Sequence, residues 1–331
     1  MWLFRVATYV KLCGFFTFLS LYLSIIYLKG GFIMSGIISV MTQSLILSIL
    51  ALGVYITYKI LDFPDMTADG SYTLGAAVVA SCLVNGISPI IGTLLAVLCG
   101  AIAGLITGFI HVKLKISNLL SGILVMGMLY SINLRVMGGK SNLPLFNFPH
   151  LFSGTLPKIA IALLVFLLCK ILLDLFLKTG LGYTLKGVGD NHQMIKSLGI
   201  NIGSIKILGL MISNALIALS GSLMCQFLGF ADVNMGIGTL VLGIASIIIG
   251  MSLFKKLTFF KDSTALLVGA FIYQFTIYFA MNFGLLSSDL KLITALVIVA
   301  FLGLGNASIL SEKNSKKNIK LKEGDVSNAS N

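Results

Sequence analysis

Apolar residues run through this chain in long unbroken stretches, at 12–28, 37–58, 73–83, 87–110, 116–137, 156–177, 204–228, 237–254, 264–280 and 290–304. A run of about 20 apolar residues matches the hydrocarbon thickness of a bilayer as a helix, and only helices and closed barrels satisfy every backbone hydrogen bond there. The runs lack the period-two alternation of a barrel strand. With 57% hydrophobic and 10% charged residues over 331 positions, a water-soluble globule is excluded. The expected fold is therefore an all-α polytopic membrane protein of about ten transmembrane helices, the third of them short.

Basic residues sort to one side of this arrangement. Arg5 and Lys11, Lys113 and Lys115, the lysines from Lys178 to Lys206, those from Lys255 to Lys261, and the tail after Asn306 all fall together, while Lys29, Lys140 and Lys158 fall opposite. The positive-inside rule makes the richer side cytoplasmic and places both termini there. The formal charge of +12 then reflects topology and anionic lipid, and no nucleic-acid partner is needed. Three segments are expected: residues 1–33 as an extra N-terminal transmembrane segment, 34–305 as the transmembrane domain, and 306–331 as a polar, disordered cytoplasmic tail. Residues 2–28 resemble a signal sequence without a small-residue cleavage site, which favours an uncleaved anchor, and Met34 offers an alternative start.

Residues 182–201 form a polar, helix-sized island between two apolar runs. Asp190 is a good N-cap residue and Gln193 completes a capping-box spacing, so a short helix is expected to begin at Asn191. Lys196 suits its C-terminal dipole and Gly199 can take the left-handed conformation that closes it. Met194, Ile195 and Leu198 then make one small apolar face, fit for contact with another protein; the alternative is an ordinary loop on the bilayer surface.

Catalytic and metal constellations are not legible. Gly139-Lys140-Ser141 resembles the end of a phosphate-binding loop, but Leu134 stands where its first glycine is required. The five cysteines are scattered singly, and the three histidines lie far apart. Polar groups at membrane depth carry more weight, because each is costly unless it faces protein or water. Asp65 and Asp69 sit in the densest acidic stretch outside the tail, where Pro64 and Gly70 argue for irregular backbone; they are expected to line a path or to cap a half-helix. Asn118, Asn133, Asn214, Gln226, Asp232 and Asn234 are the other translocation-path candidates, whereas Arg135 lies near a span end and is placed to snorkel. Phe63-Pro64-Asp65 and Phe230-Ala231-Asp232 share an F-x-D pattern before a glycine-containing apolar segment, which makes an inverted repeat a candidate organisation. Gly100, Gly104 and Gly108 repeat at the four-residue spacing that lets membrane helices approach closely, here within one bundle.

The run GVGDNHQMIKSLGIN at 187–201, followed by NALIALSG at 214–221, resembles the membrane permeases of ATP-binding-cassette (ABC) importers of the branched-chain amino-acid and ribose type. ILDFPDMTADGSYTLGA at 60–76 and LRVMGGKSNLPLF at 134–146 are similar, more particularly, to an uncharacterised subgroup working with lipoprotein-type substrate-binding proteins. The resemblance covers 34–305 and implies a type II ABC importer-like fold. It implies a coupling helix in 182–201 seated on a cytoplasmic ATPase through Gly189, Asp190, Asn191, Met194, Ile195, Leu198 and Gly199, with Met194, Ile195 and Leu198 buried in the contact. It further implies no enzymatic activity and no cofactor in this chain, ATP being bound by the partner. Implied too are a homodimer or paired permease, an extracytoplasmic binding protein, a bacterial inner membrane, and transport of a small solute such as an amino acid. His192-Gln193 and Lys196 stand where relatives commonly carry acidic or arginine residues, a departure that bears on which ATPase is recognised. The alternative is an ion-coupled secondary transporter or channel using Asp65 and Asp69.

Overall fold

The computed structural model describes residues 36–154, 156–254 and 262–282, with the isolated positions 292, 295, 296 and 299. The expected spans at 12–28 and 290–304, like the segments 1–33 and 306–331, lie at or beyond the edges of these residues. Six helices are long and apolar enough to cross a membrane. They are α1 (Gly36–Ile60), α3 (Pro89–Leu114), α4 (Asn118–Val136), α5 (Lys158–Phe176), α8 (Ile202–Leu228) and α10, which runs Asp262–Asn282. Two shorter apolar helices, α2 (Thr67–Val84) and α9 (Thr239–Phe254), fill the interior between them. Two polar helices, α6 (Gly180–Asp190) and α7 (His192–Ser197), join α5 to α8.

Close approach at glycine organises the bundle. A Cβ on Gly100, Gly104 or Gly108 would meet Ala218 and Asn214, Leu210, or Ile207, so the stripe of small residues lets α3 lie antiparallel against α8 within the same chain. On the other face of α8, the Ser220 hydroxyl donates to the Ile46 carbonyl and the Ser213 hydroxyl to the Gly53 carbonyl, both at 2.8 Å, which sets α1 antiparallel to α8. Gly92 lies against Val79 and Cys82, so α2 and α3 form a hairpin around the turn at Asn85 and Gly86. Contacts of Gly250 with Ala265 and of Gly269 with Ser246 make α9 and α10 antiparallel.

These pairings define two ends. One carries α6 and α7, the other a small antiparallel ribbon of β1 (Asn142–Pro144) and β2 (Phe230–Asp232), in register Leu143 to Ala231. Gly138 and Gly139, both at positive φ, turn the chain from α4 into this ribbon, so the Gly139-Lys140-Ser141 motif is a structural turn whose Ser141 carbonyl accepts the Val233 amide. Lys140 and Lys158 are at the ribbon end; the Lys178–Lys206 lysines cluster around α6 and α7. α1 ends in a π-helical turn at Ile56–Ile60, after which Asp62 takes a positive φ.

Candidate functional site

Two regions combine polar chemistry with unusual geometry, and the first lies where α2 starts. The segment between α1 and α2 enters the bundle rather than crossing its surface: Phe63 and Asp65 are buried, and Leu61 packs against Gly209 in the middle of the lower half of α8. A helix that begins inside protein leaves its first amides without partners unless side chains supply them. Asp65 does so: its Oδ1 accepts the Thr67 amide at 2.9 Å and its Oδ2 accepts Asn214 Nδ2 at 2.8 Å. Gly122 on α4 makes room here, because a side chain would strike the Met66 amide and Asp65. Thr67 and Thr107 hydroxyls meet at 2.8 Å, and Asn133 Nδ2 donates to the Gly70 carbonyl at 3.2 Å, so α3, α4 and α8 all hold the first turns of α2 by polar contacts.

Asp69, one turn into α2, reaches sideways to a second helix start. Its Oδ2 accepts the Gly238 amide at 2.8 Å, while its Oδ1 accepts the Leu240 amide at 2.8 Å and the Thr239 hydroxyl at 3.1 Å. Those groups open α9, so a carboxylate borne on α2 serves as the cap of α9. Gly236 allows the approach, since a Cβ there would collide with the Asp69 carbonyl and the Thr73 hydroxyl. The two short helices therefore meet start to start inside the bundle and depart toward opposite ends.

Both acidic candidates thus act as helix caps with all-protein partners among the described residues. Of the remaining path candidates, Asn214 and Asn133 are gathered at this junction. The others are not. Gln226 is buried near the ribbon end, accepting the Leu151 amide and donating to the Thr93 hydroxyl, each at 3.0 Å. Asp232 belongs to the ribbon: Asn142 Nδ2 donates to its Oδ2, and its Oδ1 accepts the amide of the exposed Asn234. Asn118 opens α4 half-buried at the opposite end, and Arg135 is exposed at the close of α4. The eight residues do not line one continuous channel within a single chain.

The second region is the α6–α7 pair. The expected helix exists, but its cap is shifted by one residue: Asp190 is the last residue of α6, and Asn191 is the N-cap of α7, its Oδ1 accepting the Gln193 and Met194 amides at 3.1 Å. The Asp190–Gln193 capping box is therefore absent, because the chain is still helical through Asp190. Thr179 caps α6, and Leu185 and Val188, three residues apart, bury its apolar face; that spacing was the signal for a helix the polar composition concealed. Gly199 takes φ +75° and ends α7, as its position in the sequence suggests.

The expected three-residue apolar face also divides. Ile195 is 5% exposed and packs inward beside Gly187, whereas Met194 at 60% and Leu198 at 63% stand in the open. Gly189 does not present itself outward either: a Cβ there would run into the Ile60 carbonyl oxygen, so this glycine seats α6 on the end of α1. Asp190, Asn191 and Gly199 are exposed. What protrudes from this end of the molecule is a capped turn of helix carrying Met194 and Leu198, held from behind by Ile195 and Gly189.

Comparison with known proteins agrees with this architecture. Residues 36–305 match the family model described as the permease component of branched-chain amino acid transport systems. The chain is 77% identical over 284 residues to a tyrosine transport system permease protein of Clostridioides difficile (strain R20291), a match covering 86% of this chain and 96% of that protein. It is 36% identical over 275 residues to an uncharacterized protein of Rickettsia prowazekii (strain Madrid E), covering 80% and 96%. Among solved structures, PsaBC from Streptococcus pneumoniae in complex with Fab is similar in fold, with a TM-score of 0.50 at 12% identity, covering 80% of this chain and 89% of that chain.

Proposed function

Because the chain belongs to the permease family of branched-chain amino acid transport systems, we propose that it acts through the exposed tip of α7, which docks on a cytoplasmic ABC ATPase. The protein is a membrane-embedded transport permease, a transport component rather than an enzyme. In this reading ATP is bound by the ATPase, and the chain contributes no nucleotide site or cofactor of its own. The single observation that carries the docking is the pairing of two large exposed apolar side chains, Met194 and Leu198, on a helix capped at one end by Asn191 and at the other by Gly199. Exposed apolar groups on a rigid, polar-rimmed helix are what a helix-in-cleft contact uses.

The surrounding reading follows from the family. Two copies, or this chain with a paired permease, enclose the path at their interface, which accords with the lack of a channel among the polar residues of one copy. A substrate-binding protein delivers a small solute, and the 77% identity to a tyrosine transport system permease favours an amino acid. The end carrying α6 and α7 is placed in the cytoplasm of a bacterial cell, with both termini on that side. The opposed directions of α1–α2 and α8–α9, each a long helix followed by a short one that starts in the interior, support an inverted repeat. So do the matching amide bonds of Asp65 to Thr67 and of Asp232 to Asn234.

The test is co-purification of the full chain with the ATPase of its transport system. Leu198→Asp and Met194→Asp should abolish the complex while leaving membrane insertion and thermal stability at wild-type values. Retention of the complex by the double variant would refute the docking assignment.

A further inference from the structure

We propose that the cleft at the foot of α5, where it meets α1, α6 and α10, binds the phosphate-bearing headgroup of an anionic phospholipid. The cleft has a volume of about 300 Å³ and is lined by Tyr55, Asp174, Leu177, Lys178, Tyr183, Lys186 and Ser263. Its charge comes from a stripe on α5: Lys170, Asp174 and Lys178 recur every four residues and so share one face. Lys170 Nζ donates to the Thr264 hydroxyl at 2.8 Å and the Ser263 hydroxyl donates to Asp174 Oδ1 at 3.0 Å, which ties this stripe to the start of α10 and engages the one acidic group in the cleft. Lys178 and Lys186 are exposed and, among the described residues, have no ion-pair partner. Lys186 lies over the Tyr183 ring at 5.8 Å from its centroid, so its ammonium is held at the rim rather than free to swing away.

Position selects the ligand. Ile171, Leu172 and Leu175 are exposed apolar side chains on α5 directly above the cleft, on a span that faces hydrocarbon. Leu181 and Tyr183 are exposed just below it, as interfacial residues are. A soluble anion would have no use for the apolar wall above the lysines; a phospholipid fills both, acyl chains along Ile171 and Leu175 and phosphate between Lys178 and Lys186. Basic clefts between membrane helices on the cytoplasmic side are suited to acidic headgroups. The site is independent of the ATPase contact, because none of its lining residues lies on α7.

The test is native mass spectrometry of the detergent-purified full chain, titrated with phosphatidylglycerol or, separately, phosphatidylcholine. Phosphatidylglycerol should be retained at lower concentration, and Lys178→Gln/Lys186→Gln should weaken it about 30-fold, from two lysine–headgroup contacts. Lys178→Arg/Lys186→Arg, which keeps the charge, should restore retention and so guard against a misfolded variant. Equal retention of the two lipids, or phosphatidylglycerol retention unchanged in the glutamine variant, would overturn the proposal. Displacement of phosphatidylglycerol by micromolar inorganic phosphate would also overturn it, by assigning the lysines to a soluble anion. Unchanged lipid retention combined with loss of ATPase association would mark the cleft as part of the protein contact instead.

Discussion

Replacing Asp69 tests whether one carboxylate joins the two interior helices. In Asp69→Ala the amides of Gly238 and Leu240 lose their acceptor, both bonds being 2.8 Å in length, and the Thr239 hydroxyl loses a third at 3.1 Å. An orphaned buried amide costs about 1–3 kcal/mol. Two such amides, with the lost anion–dipole attraction of about 0.3–1 kcal/mol, place the total near about 4 kcal/mol. Asp69→Asn keeps one oxygen, enough for Leu240 and Thr239, and sets an N–H against the Gly238 amide, so about half the loss is expected. Thr239→Ala removes only the hydroxyl bond and should cost about 1 kcal/mol or less. Heating the purified protein in detergent and following the surviving monodisperse fraction reads these differences. With about 2–4 °C per kcal/mol for a large domain, the midpoint should fall by about 12 °C for Ala, about 6 °C for Asn and at most about 3 °C for Thr239→Ala. If Asp69→Ala and Asp69→Asn both melt within a degree or two of wild type, the carboxylate does not hold α9 and the reasoning fails.

Other perturbations separate packing from contact. Gly189→Ala should lower thermal stability by about 1–3 kcal/mol, the cost of overpacking, because its methyl group has only the Ile60 carbonyl to move against; a variant as stable as wild type would show that α6 is not seated there. Ile195→Asp should destabilise the protein, whereas Leu198→Asp should not, since only Ile195 is buried; equal melting of the two would contradict the inward turn of Ile195. Gly104→Leu should prevent recovery of folded protein, as the Leu210 backbone occupies the space its side chain needs, and normal yield on gel filtration would refute the close packing of α3 on α8. Burial, reinforced by Lys158, holds the His150 imidazole below its ordinary value of 6.5. The unfolded chain then takes up a proton first as pH falls below that value, so stability should decline from about pH 6.5 downward. His150→Gln should flatten that decline when melting is measured at pH 7 and pH 5, and an unaltered slope would exclude His150 as its source.

Much of this architecture is legible in the residues, for a physical reason: hydrocarbon leaves the backbone few choices, so apolar runs announce helices directly. The spans at 37–58, 87–110, 116–137, 156–177 and 204–228 are recovered with shifts of a few residues at their ends. The short third span is recovered too, but it begins at Thr67 rather than at residue 73, because Asp65 caps it from within the protein. A carboxylate before a helix reads in sequence as a solvated loop, and only tertiary structure shows that Asn214, 149 residues away, completes its coordination. Asp69 was legible as a cap but not as the cap of another helix, since that bond spans 169 residues. On α7 the error was one of register. Asp190 and Asn191 are both good caps, and the choice between them depends on α6 continuing through Asp190, which glycines at 180, 182, 187 and 189 made hard to see. The division between Ile195 and its neighbours followed from where α6 packs, not from helical spacing.

The π-helical turn that closes α1 has a consequence for how this chain tolerates change in length. Such a turn holds one residue more than an α-helical turn over the same rise. Deleting a residue between Ile56 and Ile60 would let α1 end as a regular α-helix, with its own hydrogen bonds intact. The loss would surface elsewhere. Everything after the deletion would rotate by about 100° and advance by about 1.5 Å, carrying the Ile60 carbonyl away from Gly189 and Asp65 away from Asn214 together. A single surplus residue thus keeps the phase between the membrane-embedded helix start and the protruding helix pair, so α1 is a place where length and motion at one end are converted into register at the other.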